Sequence, residues 1–239
     1  QQQPFHQQPS AMNQAPRPST PPPAPRPSTP PPAPRTPAPA PQPAAPAIPP
    51  MRIPPLPNPL NKGQKVPLDP QHSGFTKVKL GFGWNVSDNR CDIDASAFLL
   101  GANGKVPGDD WFVFYGQDVS PDRSVRFYSN SAGEDREYIE IDLTKVNPDI
   151  KRIVFVLTIH EAYEQRLNFS MIQDAYMRIL DPQNQVVYSY RMQELYANVT
   201  SMTIGEIYLH NGQWKVNPVG NGVDQDLAGQ CAIYGVQIC

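Results

Sequence analysis

The chain has 239 residues and a formal net charge of −2, with 31 prolines and three cysteines. Residues 1–66 carry six Lys/Arg and no Asp or Glu, so the remainder holds 20 − 6 = 14 basic side chains against all 22 acidic ones, a net −8. That acidic body disfavours nucleic-acid binding, the longest aliphatic run (153–159) is too short to cross a bilayer, and the cysteines show no zinc-type spacing.

The first stretch, residues 1–58, reads as a disordered Pro/Gln-rich tail, because it holds few large apolar residues and each proline lacks a backbone donor. Ala15-Pro16-Arg17-Pro18-Ser19-Thr20-Pro21-Pro22-Pro23 recurs over residues 24–32, and a third copy starts at Ala33-Pro34-Arg35 and decays. The nine-residue period is a multiple of the three residues per turn of polyproline II, which would align Arg17, Arg26 and Arg35 along one edge. Such a segment suits a Pro-binding domain, an acidic surface, or simply a stiff spacer.

From residue 59 the pattern becomes that of one folded domain with a substantial core. Val78, Leu80, Phe82 and Trp84 share one face of a strand, with Gly81 and Gly83 marking a bend or a close backbone approach. Cys91–Leu100 is a second strand, opening on Asp92 and Asp94 and ending in an apolar run. Trp111–Tyr115 reads as a buried strand, and Val125, Phe127 and Ser129 alternate in the next. Ile139, Ile141 and Leu143 face one way, with Tyr138, Glu140 and Asp142 opposite, the pattern of a half-buried strand. Ile153–His160 lacks polar alternation and should be covered on both faces. Further strands are expected over 175–180, 186–191, 201–209 and 214–219, with Asn211-Gly212 as a hairpin turn. A short helical turn is expected within 224–233. The sum is an all-β fold, a β-sandwich of two mainly antiparallel sheets with short helical connections.

Asp92 and Asp94 lie two residues apart on one strand face, where like charges repel. A cation would relieve them, and calcium takes several hard oxygen ligands; a plain pair of acids on a wet sheet face is the other reading. The loop Asn130-Ser131-Ala132-Gly133-Glu134-Asp135-Arg136-Glu137 offers either a second set of cation ligands or a solvated turn with Arg136 pairing a neighbouring acid. His160 reads as a structural residue. The three cysteines, Cys91, Cys231 and Cys239, are expected as reduced thiols of a cytosolic protein, although two of the three could pair in an oxidising environment, and sequence does not say which. No nucleophile elbow, Ser/His/Asp ordering or phosphate-binding glycine loop is present, which argues against an enzyme.

Residues 59–239 resemble the TerD family of bacterial tellurium-resistance and stress-response proteins. The likeness is carried in order by Leu60-Asn61-Lys62-Gly63-Gln64-Lys65-Val66, Leu80-Gly81-Phe82-Gly83-Trp84, Asp92-Ile93-Asp94-Ala95-Ser96-Ala97-Phe98-Leu99-Leu100, Phe112-Val113-Phe114-Tyr115 and Thr158-Ile159-His160-Glu161-Ala162. The resemblance implies a calcium-binding sandwich that works by binding rather than turnover. It also implies a role in tellurite and chemical-stress resistance, in the cytoplasm or peripherally at the inner membrane face, in an assembly with other stress-resistance proteins. It places the calcium oxygens at Asp92, Asp94, Asn130, Asp135 and Glu137. The loop is shorter than the family's and carries Arg136 in place of an acid, so a weakened site, or none, is the expectation; a metal-free scaffold holding partners through the sandwich and the tail is the alternative.

Overall fold

Period-two alternation decides which side of each strand enters a core. The computed structural model describes residues 49–129, 134–194 and 197–237; the tail repeats, Asn130 and Cys239 lie outside the described residues. The strands are β1 (Val66–Pro67), β2 (Lys77–Val86), β3 (Ile93–Leu100), β4 (Phe112–Val113), β5 (Val125–Ser129), β6 (Glu137–Asp142), β7 (Arg152–Ile159), β8 (Ile172–Leu180), β9 (Val186–Arg191), β10 (Ser201–His210) and β11 (Gln213–Val223). Two short helices, α1 (Ala162–Gln165) and α2 (Leu227–Tyr234), complete the elements named below. One sheet runs β1-β11-β10-β7-β3-β4 and the other β5-β6-β2-β8-β9, and every strand pair in them is antiparallel. The structure is thus the expected two-sheet sandwich.

The core lies between the sheets. Val78, Leu80, Phe82 and Trp84 of β2 meet Ile139 and Ile141 of β6 and Phe155 and Leu157 of β7, with the Phe82 and Phe155 rings 5.9 Å apart. A second apolar cluster forms on the outer side of the six-stranded sheet. There Phe98, Leu100, Val154 and Val156 are covered by Phe112 and by Cys231 of α2. This is why β7 shows no polar alternation: its two faces belong to two different cores. Asn211 and Gly212, at φ 51° and 76°, make the two-residue turn between His210 and Gln213, the left-handed conformation such hairpins require.

Three expectations need correction. The strand expected over 111–115 shrinks to Phe112–Val113, because Asp109–Trp111 forms a 3-10 turn and Phe114 turns back through paired backbone bonds with Gln117; Tyr115 is exposed. Cys231 is disulfide-bonded rather than reduced. Cys91 is a free, buried thiol, pushed up to about 11 by burial and then by the Asp88 carboxylate. Arg136 pairs with no acid among the described residues: its Nε donates to the Trp84 carbonyl at 2.6 Å and its Nη2 to the Pro49 carbonyl at 3.1 Å.

Residues 49–60 form a strap along the five-stranded sheet. Met51 and Asn85 exchange two hydrogen bonds, Ser189 Oγ donates to the Pro57 carbonyl at 2.7 Å, and Pro59 bridges to Ser189 at the free edge of β9. A proline-rich strap on an edge strand blocks pairing with other chains.

Gly81 and Gly83 mark close approach. A Cβ on Gly83 would lie 2.4 Å from the Tyr176 ring, and one on Gly81 would lie 2.3 Å from the Asp135 carboxylate. Both partners are buried under neighbouring chain, so neither has room to retreat. Gly83→Ala is expected to lower stability by about 2 kcal/mol, the scale of overpacking in a filled interior. A urea midpoint unchanged from the native chain would contradict that close contact.

Candidate functional site

β3 enters the six-stranded sheet with Ile93 and Ala95 in the core and Asp92 and Asp94 on the opposite side. The ladder from β3 to β4 covers only Ala97 and Phe98, so the Ala95 amide has no strand partner on that edge. Glu137, at the start of β6 in the other sheet, supplies one: its Oε2 accepts from Ala95 N at 2.5 Å. Glu137 is 8% exposed and bridges the two sheets.

The electrostatics of this corner are one-sided. Burial pushes the Glu137 carboxyl up to about 8; the Ala95 amide opposes the shift, while Asp94 and Asp92 add to it. Asp94 is pushed up to about 6 by burial and then by Asp92, with His160 opposing. No lysine or arginine among the described residues contributes to either shift. His160 is more than half exposed, its Nε2 3.6 Å from Glu161.

Asp135 has a different setting. It lies on the outer face of the five-stranded sheet, 5% exposed. Arg178 Nε donates to its Oδ1 at 2.8 Å and Arg178 Nη2 to its Oδ2 at 2.9 Å. The single Tyr176 O–H is shared between Oδ1 at 2.9 Å and the Glu134 carbonyl at 2.8 Å. Glu134 Oε2 takes a second bond from Arg178 Nη2 at 2.8 Å. Burial and the Asp135 charge hold the Tyr176 phenol protonated well beyond the ordinary range.

The expected ligand set therefore divides. Glu137 lies within electrostatic reach of Asp92 and Asp94, whereas Asp135 has both oxygens committed to Arg178. Among the described residues no three His, Cys, Asp or Glu side chains converge on a metal-sized point. In donor chemistry, Asp92, Asp94 and Glu137 suit a hard cation, being oxygen donors with no lysine or arginine beside them among the described residues; Asp135, paired with Arg178, does not. Arg178 and Tyr176 went unrecognised as site residues. Their signal was the alternation of Ala175, Met177 and Ile179, which sends Tyr176 and Arg178 to the opposite face.

A sequence profile described as the TerD domain matches residues 57–234. The chain belongs to the TerD family. It is 40% identical over 185 residues to the tellurium resistance protein TerD of Serratia marcescens, covering 74% of this chain and 96% of that one. It is 39% identical over 138 residues to the chemical-damaging agent resistance protein B of Clostridium acetobutylicum, covering 56% of this chain and 99% of that one. In structure it is similar to a homologue of telluride resistance protein (TerD) from Streptomyces coelicolor A3(2), with TM-score 0.51, 18% identity, and 65% and 94% of the two chains covered. The TerD domain alone thus makes up nearly all of the Serratia relative, a whole protein without a comparable tail. No helix among the described residues is long and apolar enough to cross a membrane.

Proposed function

We propose that this TerD-family protein is a non-enzymatic, calcium-responsive module of a tellurium and chemical-damage resistance system, acting by binding other proteins. The observation that carries the reading is the corner formed by Asp92, Asp94 and Glu137. Three carboxylates from two sheets act on one another there, and among the described residues only His160 opposes their repulsion, with no lysine or arginine doing so. Asp92, Asp94 and Glu137 are the residues that would hold calcium; the bound ion would supply the missing positive charge. Glu137 also ties the two sheets together through Ala95, so occupancy would stiffen the sandwich rather than start a reaction. Relatives named tellurium resistance proteins TerX and TerA support a multi-protein setting.

Calorimetric titration of the full chain with calcium at pH 7.5 is expected to give a saturable heat whose size depends on the buffer, because Glu137 must release its proton to ligate. Asp94→Asn is expected to weaken binding by about tenfold, a loss near 1.4 kcal/mol. Absence of heat from the native chain would exclude the calcium reading. The second reading, a metal-free scaffold, draws on the commitment of Asp135 to Arg178 and of Arg136 to the strap; a melting temperature unmoved by calcium and by chelator would favour it.

A further inference from the structure

Apart from the carboxylate corner, the sandwich carries an apolar notch of about 190 Å³. It is bounded by the segment after β1, the residues leading into β2, the end of β6 and the start of β11. Phe75, Leu143 and Trp214 form its apolar walls, each half-buried and packed against the core on one side. Those walls are held by backbone: Leu68 N donates to the Trp214 carbonyl at 2.9 Å and Leu143 N to the Thr76 carbonyl at 2.8 Å. Tyr188 Oη fixes the Pro67 carbonyl at 3.0 Å. The rim carries His72 and the Asp69 carboxylate; that carboxylate accepts from Ser73 Oγ at 3.1 Å and from Gly74 N at 2.8 Å and forms no salt bridge among the described residues. A preformed notch with two aromatic rings and an acid on its lip suits one ligand class: a polyproline II segment with an arginine close to its prolines. Such segments lose little entropy on docking, and their rings pack well on aromatic walls.

The chain itself supplies that ligand. Residues 15–23 and 24–32 both read Ala-Pro-Arg-Pro-Ser-Thr-Pro-Pro-Pro. The charges are complementary, since residues 1–48 hold three arginines and no acid while residues 49–239 hold 20 − 3 = 17 basic against 22 acidic side chains, a net −5. We propose that the Phe75–Trp214 notch of one copy takes a proline of the nine-residue repeat of a second copy, with the arginine of that repeat against Asp69. The tail lies outside the TerD match, so this contact belongs to the part of the chain that sets it apart from its shorter relatives. Two full repeats on one tail allow it to engage more than one neighbour, and linkage raises the strength of the second contact without new chemistry. The proposal does not depend on calcium.

The test uses a fluorescent peptide of residues 15–23 and the sandwich alone, residues 49–239, which corresponds to the tail-less relatives. Saturable binding is expected, and binding should weaken as salt rises. Replacing Arg17 by Ala in the peptide is expected to weaken binding up to about fivefold, the range of a rim ion pair. Replacing Pro16 and Pro18 by Ala is expected to abolish it. Trp214→Ala should also abolish binding; if that variant fails to fold, the peptide replacements decide alone, because they leave the protein untouched. In sedimentation, the full chain is expected to self-associate with concentration and to be dispersed by excess peptide, equally with calcium or with chelator present. No peptide binding, equal binding by the proline-replaced peptide, or a full chain that stays monomeric at every concentration would overturn the proposal.

Discussion

Glu137→Gln is expected to make the protein more stable at pH 8 by about 3 kcal/mol in the absence of divalent cations, and to flatten its stability between pH 5 and 8. The ordinary carboxyl value is 4.5 and the folded value is about 8. Between those limits the folded chain keeps a proton that the unfolded chain has released. Stability from this group is therefore full below pH 4.5, falls as pH rises, and is lost once pH passes 8. Glutamine carries no charge at any pH, yet its carbonyl can still accept from Ala95 N, so the variant keeps the bond between the sheets and loses the electrostatic penalty. Chemical denaturation at several pH values, with chelator present, reads the effect. A variant no more stable than the native chain at pH 8 would mean that the corner is already relieved by something other than protonation. Calcium should reverse the order: the native chain gains stability from the ion and the glutamine variant gains little.

How much of this was readable from the residues depended on whether alternation alone decided the matter. The β7 run, the β6 stripe of Ile139 and Ile141 and the Asn211-Gly212 turn were legible because each is set by neighbours within a few positions. The placement of Glu137 was legible in principle, since it shares parity with Ile139 and Ile141 and therefore enters the interior. Asp135 shares that parity too, but residues 134–136 precede the β6 ladder, and the chain there is fixed by Arg136 N bonding to the Phe82 carbonyl at 2.9 Å. Nothing local records that bond. Arg178 looked like a polar residue on an outer strand face; its 5% exposure comes from chain that returns across that face, a contact between distant parts of the sequence. The shortening of β4 was likewise hidden, because an apolar, aromatic run suits both a strand and a turn packed on a second core.

The division of the acids into two settings predicts that Asp135→Asn and Asp94→Asn fail in different ways. Asp135→Asn leaves the buried Arg178 guanidinium facing Glu134, whose side chain is 68% exposed and screened by water. Removing one partner of a buried ion pair typically costs about 3 to 5 kcal/mol, mainly through the charge left behind. A loss of about 3 kcal/mol is expected here, since asparagine can still accept from Tyr176 Oη and Arg178 Nε. Arg178→Met should lose a similar amount, and the double variant should lose less than the sum, because no unpaired charge remains. Calcium binding, corrected for the fraction folded, should be unchanged in all three. Asp94→Asn should do the opposite, leaving cation-free stability intact or raised and weakening calcium. If Asp135→Asn instead lowers calcium affinity without lowering stability, Asp135 leaves Arg178 for the ion, and the outer-face ion pair is the resting state of a single larger site.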